Sequence, residues 1–309
     1  MTDDLPTVAE KIFELYEQER YEEALDLSRS VEERFPANAA YWNACLLSVT
    51  GHAEEALQAL EAGLERGIWW SPDRLLRDPD LEPVRASGRF ERIVESSEKS
   101  WRAAFRAEPE VLTFPPESEP SGAVVIALHG SPGEPADTFA EHWRPVTSRG
   151  ALLIVPQSTQ PFNSEGGRSW HDQVRTQRDL EIAYRRAESQ FTIDPDRVVI
   201  AGFSAGGRAA ITTALTGQPF NPAGFIVAAP AISPDVPDML DQADPARRGW
   251  ITVGENDWVK EDAVTIYDRA SAEGFPWHIE IVEGLGHEFP DDFPSRLAQA
   301  LDFVLADRR

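Results

Sequence analysis

Ser204 lies midway between two glycines in Gly202-Phe-Ser204-Ala-Gly206, with the β-branched run Val198-Val-Ile-Ala before it and an alanine-rich stretch to Ala210 after it. The pattern predicts a strand that turns sharply into a helix and carries a serine at the bend. Backbone angles at such a bend are strained, and the flanking positions must be glycine because a Cβ would collide with the neighbouring strand and helix. The bend displays the hydroxyl, but a serine hydroxyl is a poor nucleophile at neutral pH. It needs a base within hydrogen-bond reach and a carboxylate to orient that base. Attack on a carbonyl carbon is the chemistry this group is suited to.

Of six histidines, His287 is the best base. It stands in Glu283-Gly-Leu-Gly-His-Glu-Phe-Pro290, a glycine-rich stretch after the last expected strand and before the final helix. His52 belongs to a helical region, His142 falls inside a helix where a solvated side chain is expected, and His278 opens a strand. For the acid, the stretch Trp250-Ile-Thr-Val-Gly-Glu-Asn-Asp257 offers Asp257, with Glu255, Glu261 and Asp262 close enough to compete. Acyl transfer also needs donors where negative charge develops on the carbonyl oxygen, and two backbone N–H groups are the usual solution. The Ala205 amide, at the start of the helix, is one. The other is expected in Ile126-Ala-Leu-His-Gly-Ser-Pro-Gly133, a strand that ends in a His-Gly turn.

These groups must be positioned by strands that end on one side. Apolar runs at Ala123 to Leu128, Ala151 to Val155, Arg197 to Ala201, Gly224 to Ala229, Gly249 to Val253 and His278 to Val282 alternate with amphipathic helices. Strands that are apolar throughout imply a sheet buried on both faces, and reactive groups gather at the carboxyl ends of such strands. Before them, residues from about 5 to 108 show helical periodicity, and Pro115-Pro-Glu-Ser-Glu-Pro-Ser-Gly122 reads as a linker or its edge. The expected architecture is an all-α domain over residues 1–108 followed by an α/β domain over 109–309.

The segment Val198 to Ala210 resembles the nucleophile elbow of α/β-hydrolases, which implies that fold, with a mostly parallel sheet flanked by helices. The Gly-x-x-Asp spacing after a strand resembles the position of the triad acid in that superfamily and selects Asp257. The same resemblance makes the Ser131 amide the second oxyanion donor, with His129 and Gly130 holding the turn. From about residue 111 onward the chain is similar to the phospholipase/carboxylesterase family that includes acyl-protein thioesterases. That similarity rests on Pro156-Gln-Ser-Thr-Gln-Pro-Phe-Asn163, Ser169-Trp-His-Asp172 and Ile193-Asp-Pro-Asp-Arg-Val-Val-Ile-Ala-Gly-Phe-Ser204 in order. In the family, the Ser-Trp-x-Asp loop borders the nucleophile and shapes the pocket. The chain departs from it at Ala205, where glutamine is common, and at Val253-Gly254, where a His-Gly pair is common. The implied activity is a serine carboxylesterase, with a thioesterase or peptidase using the same residues as the alternative, or an adaptor whose hydrolase fold is inactive. At the front, Tyr21-Glu-Glu-Ala-Leu25 recurs as Ala53-Glu-Glu-Ala-Leu57, and with Ala24, Ala56, Gly51 and Pro36 it resembles tetratricopeptide repeats. Two repeats and a cap leave apolar faces unfinished, and both a protein partner or self-association there and packing on the α/β domain fit that pattern.

Phe162, Trp170, Phe203, Trp258 and Phe289 fall on strand-end loops and are expected to line an acyl or aromatic pocket. The segment Ala231 to Arg248 is too short for a large lid, so an open site on a small-molecule or acyl ester substrate is expected. No cysteine pair, His-Glu-x-x-His helix or phosphate loop is present, so neither metal nor cofactor is expected, and His171-Asp172 reads as a pocket edge. Against 29 basic side chains stand 53 acidic ones, a net charge of -24, which would repel phosphate backbones and anionic headgroups and disfavours nucleic acid or a membrane surface as partner. The start at Met1-Thr-Asp-Asp-Leu-Pro shows no leader pattern and no apolar run is long enough to span a bilayer, so a cytoplasmic protein is expected. Cys45, the sole cysteine, sits among alanines and leucines as a small core residue.

Overall fold

The structure is a computed structural model that describes residues 5–306; Met1–Asp4, the start of the stretch read for a leader, and the last three residues lie outside the described residues. The chain divides into two compact units, the first comprising residues up to Phe105 together with Pro161–Gly166, the second Arg106–Gln160 and Gly167–Arg309. No helix among the described residues is long and apolar enough to cross a membrane.

The first unit is built on helices α1 (Leu5–Glu17), α2 (Tyr21–Ser30), α3 (Pro36–Val49), α4 (Ala53–Glu65), α5 (Pro72–Arg77), α6 (Glu82–Arg85) and α7 (Gly88–Ala103). Along α3 nearly every side chain is buried, because neighbouring helices cover it all round. Small residues Ala24, Ala44 and Ala56 allow the close approach, while Tyr41, Trp42, Leu60 and Trp70 fill the core. Cys45 is buried there and its thiol lies 3.8 Å from an Asp78 carboxylate oxygen.

One part of this unit comes from far along the chain. The hairpin residues Pro161–Gly166 join it, with Trp70 bridged to Asn163 and the Ser164 amide donating to the Trp69 carbonyl. The Phe35 residue that precedes α3 makes no side-chain cap bond; instead the Glu165 carboxylate accepts from the Ala37 amide at 2.9 Å. A carboxylate at this end satisfies an amide that has no intrahelical acceptor and meets the positive end of the helix dipole.

The second unit contains strands β1 (Glu110–Phe114) and β2 (Val124–Leu128), helix α8 (Ala136–Trp143), β3 (Leu152–Gln157) and α9 (Gln173–Glu188); between β3 and α9 runs the hairpin of β4 (Gln160–Asn163) and β5 (Gly166–Ser169), whose residues Pro161–Gly166 belong to the first unit. After these come β6 (Val198–Phe203), α10 (Ala205–Thr216), β7 (Gly224–Ala228), α11 (Val236–Met239), β8 (Arg248–Gly254), α12 (Lys260–Ala272), β9 (Trp277–Val282) and α13 (Phe293–Val304). Seven strands form one sheet in the order β1-β3-β2-β6-β7-β8-β9. All its neighbours are parallel except β1, which runs antiparallel to β3. β1 and the β4–β5 hairpin are additions to the strands expected from apolar runs, since β1 is only partly buried and the hairpin is too short and polar to stand out.

Side chains alternate between two cores. Val124, Ile126 and Leu128 join the core beneath α9, α10 and α12, whereas Val125 and Ala127 join the one beneath α8 and α13. A sheet covered on both faces leaves its strand ends as the natural place for polar chemistry. Register then brings particular loops together: Leu128 pairs with Gly202, Phe203 with Ala228, and Gly254 with Val282.

Candidate active site

Two residues past the Leu128–Gly202 pair stand Gly130 on one strand end and Ser204 on the other. A Cβ on Gly130 would lie 3.5 Å from the Ser204 Cβ, so the turn after β2 runs directly beside the serine. Ser204 has φ 53° and ψ -118°, a backbone region that L-residues avoid. Its amide donates to the Ala228 carbonyl at 3.1 Å, and its carbonyl accepts from Ala231 and Arg208 at 3.1 and 3.0 Å. These bonds hold the strained bend. Both glycines are sterically required: a Cβ at Gly206 would sit 2.1 Å from the Leu128 carbonyl oxygen, and one at Gly202 would sit 2.4 Å from the Gly206 backbone.

The β8 and β9 ends supply the partners. His287 Nε2 lies 3.0 Å from Ser204 Oγ, and its Nδ1 lies 2.8 Å from Asp257 Oδ1. The same Asp257 oxygen accepts from the Val259 amide at 3.0 Å, and the carboxylate is buried. Its three competitors in sequence are occupied elsewhere: Glu255 accepts from the Gly284 amide at 2.9 Å, and Glu261 and Asp262 are exposed on α12. Glu255 and its neighbour thereby fasten the loop that carries His287, since the Asn256 amide also donates to the Leu285 carbonyl.

The turn after β2 is held by hydrogen bonds of buried side chains. His129 is fully buried; its Nε2 accepts from the Ser158 amide at 3.2 Å, which leaves Nδ1 to donate to the Gly130 carbonyl at 2.7 Å. Burial pushes its pKa down to about 4, so the ring is neutral and this tautomer is fixed. Trp170 closes the turn from the other side, donating its indole N–H to the His129 carbonyl at 2.9 Å. Ser131 follows, its hydroxyl donating to Ser169 Oγ at 2.9 Å. Ala205 opens α10, and the first amides of a helix have no intrahelical acceptor, so the positive end of α10 lies at Ser204.

The five expected pocket aromatics separate. Phe203 and Trp258 have ring centroids 5.0 and 5.1 Å from His287. Phe289 stacks on Phe203 at 4.6 Å and on His142 at 4.1 Å, so His142 is a stacked, partly buried ring and not the solvated one expected from its helix. Trp170 is buried and is spent on the His129 turn, and offers no surface. Phe162 belongs to the helical unit, buried beneath the Arg74 guanidinium at 4.7 Å. A strand-end loop marked it for the pocket, but that loop is the hairpin tip that joins the other unit. Asp172, read with His171 as a pocket edge, caps α9 by accepting from the Arg175 amide at 3.0 Å. Among the described residues, one group has metal-ligand spacing, Cys45 with Asp78 and Asp80. It is a hydrogen-bond network, in which Asp78 accepts from Tyr41 and Asp80 from Tyr16.

Parallel strands, a serine on a strained strand-to-helix bend, and acid and histidine loops on later strand ends decide the architecture. The fold is that of an α/β-hydrolase. Residues 7–105 match the family model described as the A/B hydrolase-like, N-terminal domain. An uncharacterized protein from Bacillus cereus ATCC 10987 is similar along almost the whole length, with 24% identity, 97% of this chain and 99% of that chain covered, and a TM-score of 0.52. Esterase PE8 covers 64% of this chain with 100% of its own, at 17% identity and a TM-score of 0.54. An S-formylglutathione hydrolase from Agrobacterium tumefaciens covers 65% with 92% of its own, at 18% identity and a TM-score of 0.52. No curated protein matches the chain in sequence.

Proposed function

We propose that the chain is a serine carboxylesterase that hydrolyses carboxylic esters through an acyl-enzyme. One observation carries the reading: a single imidazole spans Ser204 Oγ at 3.0 Å and Asp257 Oδ1 at 2.8 Å. His287 takes the serine proton at Nε2 as Oγ attacks the ester carbonyl, and Asp257 holds the ring and stabilises its charged form. The amides of Ser131 and Ala205 receive the oxyanion. His287 then gives the proton to the leaving alcohol, and water, activated by the same nitrogen, releases the acid. Two of the structural relatives, an esterase and an S-formylglutathione hydrolase, agree with this chemistry.

Ser204→Ala is expected to lose turnover of a p-nitrophenyl ester by several orders of magnitude while keeping the circular dichroism of the parent. Normal turnover in that variant overturns the reading, as does failure of the folded parent to react with a fluorophosphonate probe. A panel of esters, thioesters and peptide amides separates the esterase from a thioesterase or peptidase with the same residues. The helical unit is proposed to be a tetratricopeptide-like pair, supported by the like starts of α2 at Tyr21 and α4 at Ala53.

A further inference from the structure

On the esterase reading, the leaving oxygen must come within hydrogen-bond reach of His287 Nε2, because that nitrogen returns the proton taken from Ser204. Groups beside the imidazole therefore meet the alcohol half of the ester. Two rings flank it, and they differ in what they are free to do. Phe203 is committed to the protein: it stacks on Phe289 at 4.6 Å, and a Cβ on Gly130 would lie 3.1 Å from its Cδ1. Trp258 is 61% exposed. An indole left in water beside a reactive histidine forgoes a large burial gain, which a bound group can supply.

The exposure is not that of a loose loop. On either side of Trp258 in the chain, Asp257 and Val259 are buried, the Val259 amide donates to Asp257 Oδ1, and the Lys260 amide donates to the Asp257 carbonyl at 3.0 Å. The turn that fixes the acid thus also fixes the backbone of Trp258, whose indole lies 5.1 Å from His287 with the two planes tilted by 37°.

We infer that Trp258 forms the leaving-group subsite and selects esters of planar aromatic or arylalkyl alcohols. In the collapse of the tetrahedral intermediate, the carbon–oxygen bond to the alcohol breaks, its oxygen takes the proton from His287 Nε2, and the acyl group stays on Ser204 Oγ. The departing ring stacks on the indole during that step, where offset aromatic contact adds to the area removed from water. A two-carbon alcohol is too small to cover the indole face.

The test compares benzyl acetate with ethyl acetate, two esters that yield the same acetyl-enzyme, in the full-length parent, Trp258→Ala and Trp258→Phe. Trp258→Ala is expected to lower the benzyl-to-ethyl ratio of kcat/KM about tenfold, the scale of one stacked and buried ring, with Trp258→Phe restoring most of it. Partition of the acetyl-enzyme between water and added benzyl alcohol should fall by a similar factor, since alcoholysis retraces the same transition state. An unchanged ratio in Trp258→Ala overturns the subsite, as does a parent that hydrolyses ethyl acetate and not benzyl acetate. If Ser204 of the parent is unreactive toward fluorophosphonate, the esterase reading itself fails and takes the subsite with it.

Discussion

His129 occupies the space that a side chain on Gly133 would need: a Cβ there would lie 2.2 Å from His129 Nδ1, the atom that donates to the Gly130 carbonyl. Gly133→Ala must therefore displace the ring or the turn that holds Ser131. The expected result is a loss of about 1–3 kcal/mol in stability together with a fall in kcat of about tenfold or more, KM changing less. Denaturant unfolding and steady-state kinetics on a p-nitrophenyl ester check both parts.

The buried neutrality of His129 makes stability depend on pH. Its pKa falls from an ordinary 6.5 to about 4 in the folded chain, chiefly through burial, so between these values the unfolded chain binds the proton and the folded one does not. Stability then rises with pH across that window: the contribution is complete above about 6.5 and is lost as pH falls toward 4, to a total of about 3 kcal/mol. Denaturation midpoints measured from pH 4 to 7 should show this slope, and His129→Asn should flatten it.

Asp257 Oδ1 is the acceptor for the Nδ1 side of His287, and the Val259 amide bonds the same oxygen. Asp257→Asn keeps the size of the group but no longer fixes the ring with Nε2 as the proton acceptor. Turnover is expected to drop by about three to four orders of magnitude with little change in fold. Near-normal ester hydrolysis by this variant would contradict the assigned role of the acid.

Gly206 is packed against the carbonyls of Leu128 and His129, at 2.1 and 2.4 Å from where a Cβ would stand. Backbone cannot yield there as a flexible side chain would. Gly206→Ala is expected to cost more than about 3 kcal/mol or to abolish soluble expression, which thermal unfolding and yield will report.

Glu165 caps α3 from 128 residues away through the Ala37 amide. Glu165→Ala should lower the stability of the helical unit by about 1 kcal/mol, seen as a small drop in its melting temperature. Reaction of Ser204 with a fluorophosphonate should survive the change.

Local pattern was enough to mark the bend at Ser204, because the β-branched run, the paired glycines and the alanine-rich helix are all contiguous. It was also enough to locate the five buried parallel strands β2, β3, β6, β7 and β8, whose apolar runs reflect burial on both faces, whereas β9 at the sheet edge is only partly buried, with Ile281 exposed. Tertiary structure alone decided matters that depend on which distant atoms meet. Glu255, Asp257, Glu261 and Asp262 are alike as residue types, and only packing buries Asp257 against His287 while sending Glu255 to the Gly284 amide. Phe162 and Trp170 carry no sequence mark that separates them from Trp258, yet one lies under Arg74, one holds the His129 carbonyl and one stands in solvent. Periodicity reports which faces of a segment are buried, not by what, whereas the role of a side chain is fixed by contacts whose partners lie dozens to more than a hundred residues away, and those exist only once the fold has closed.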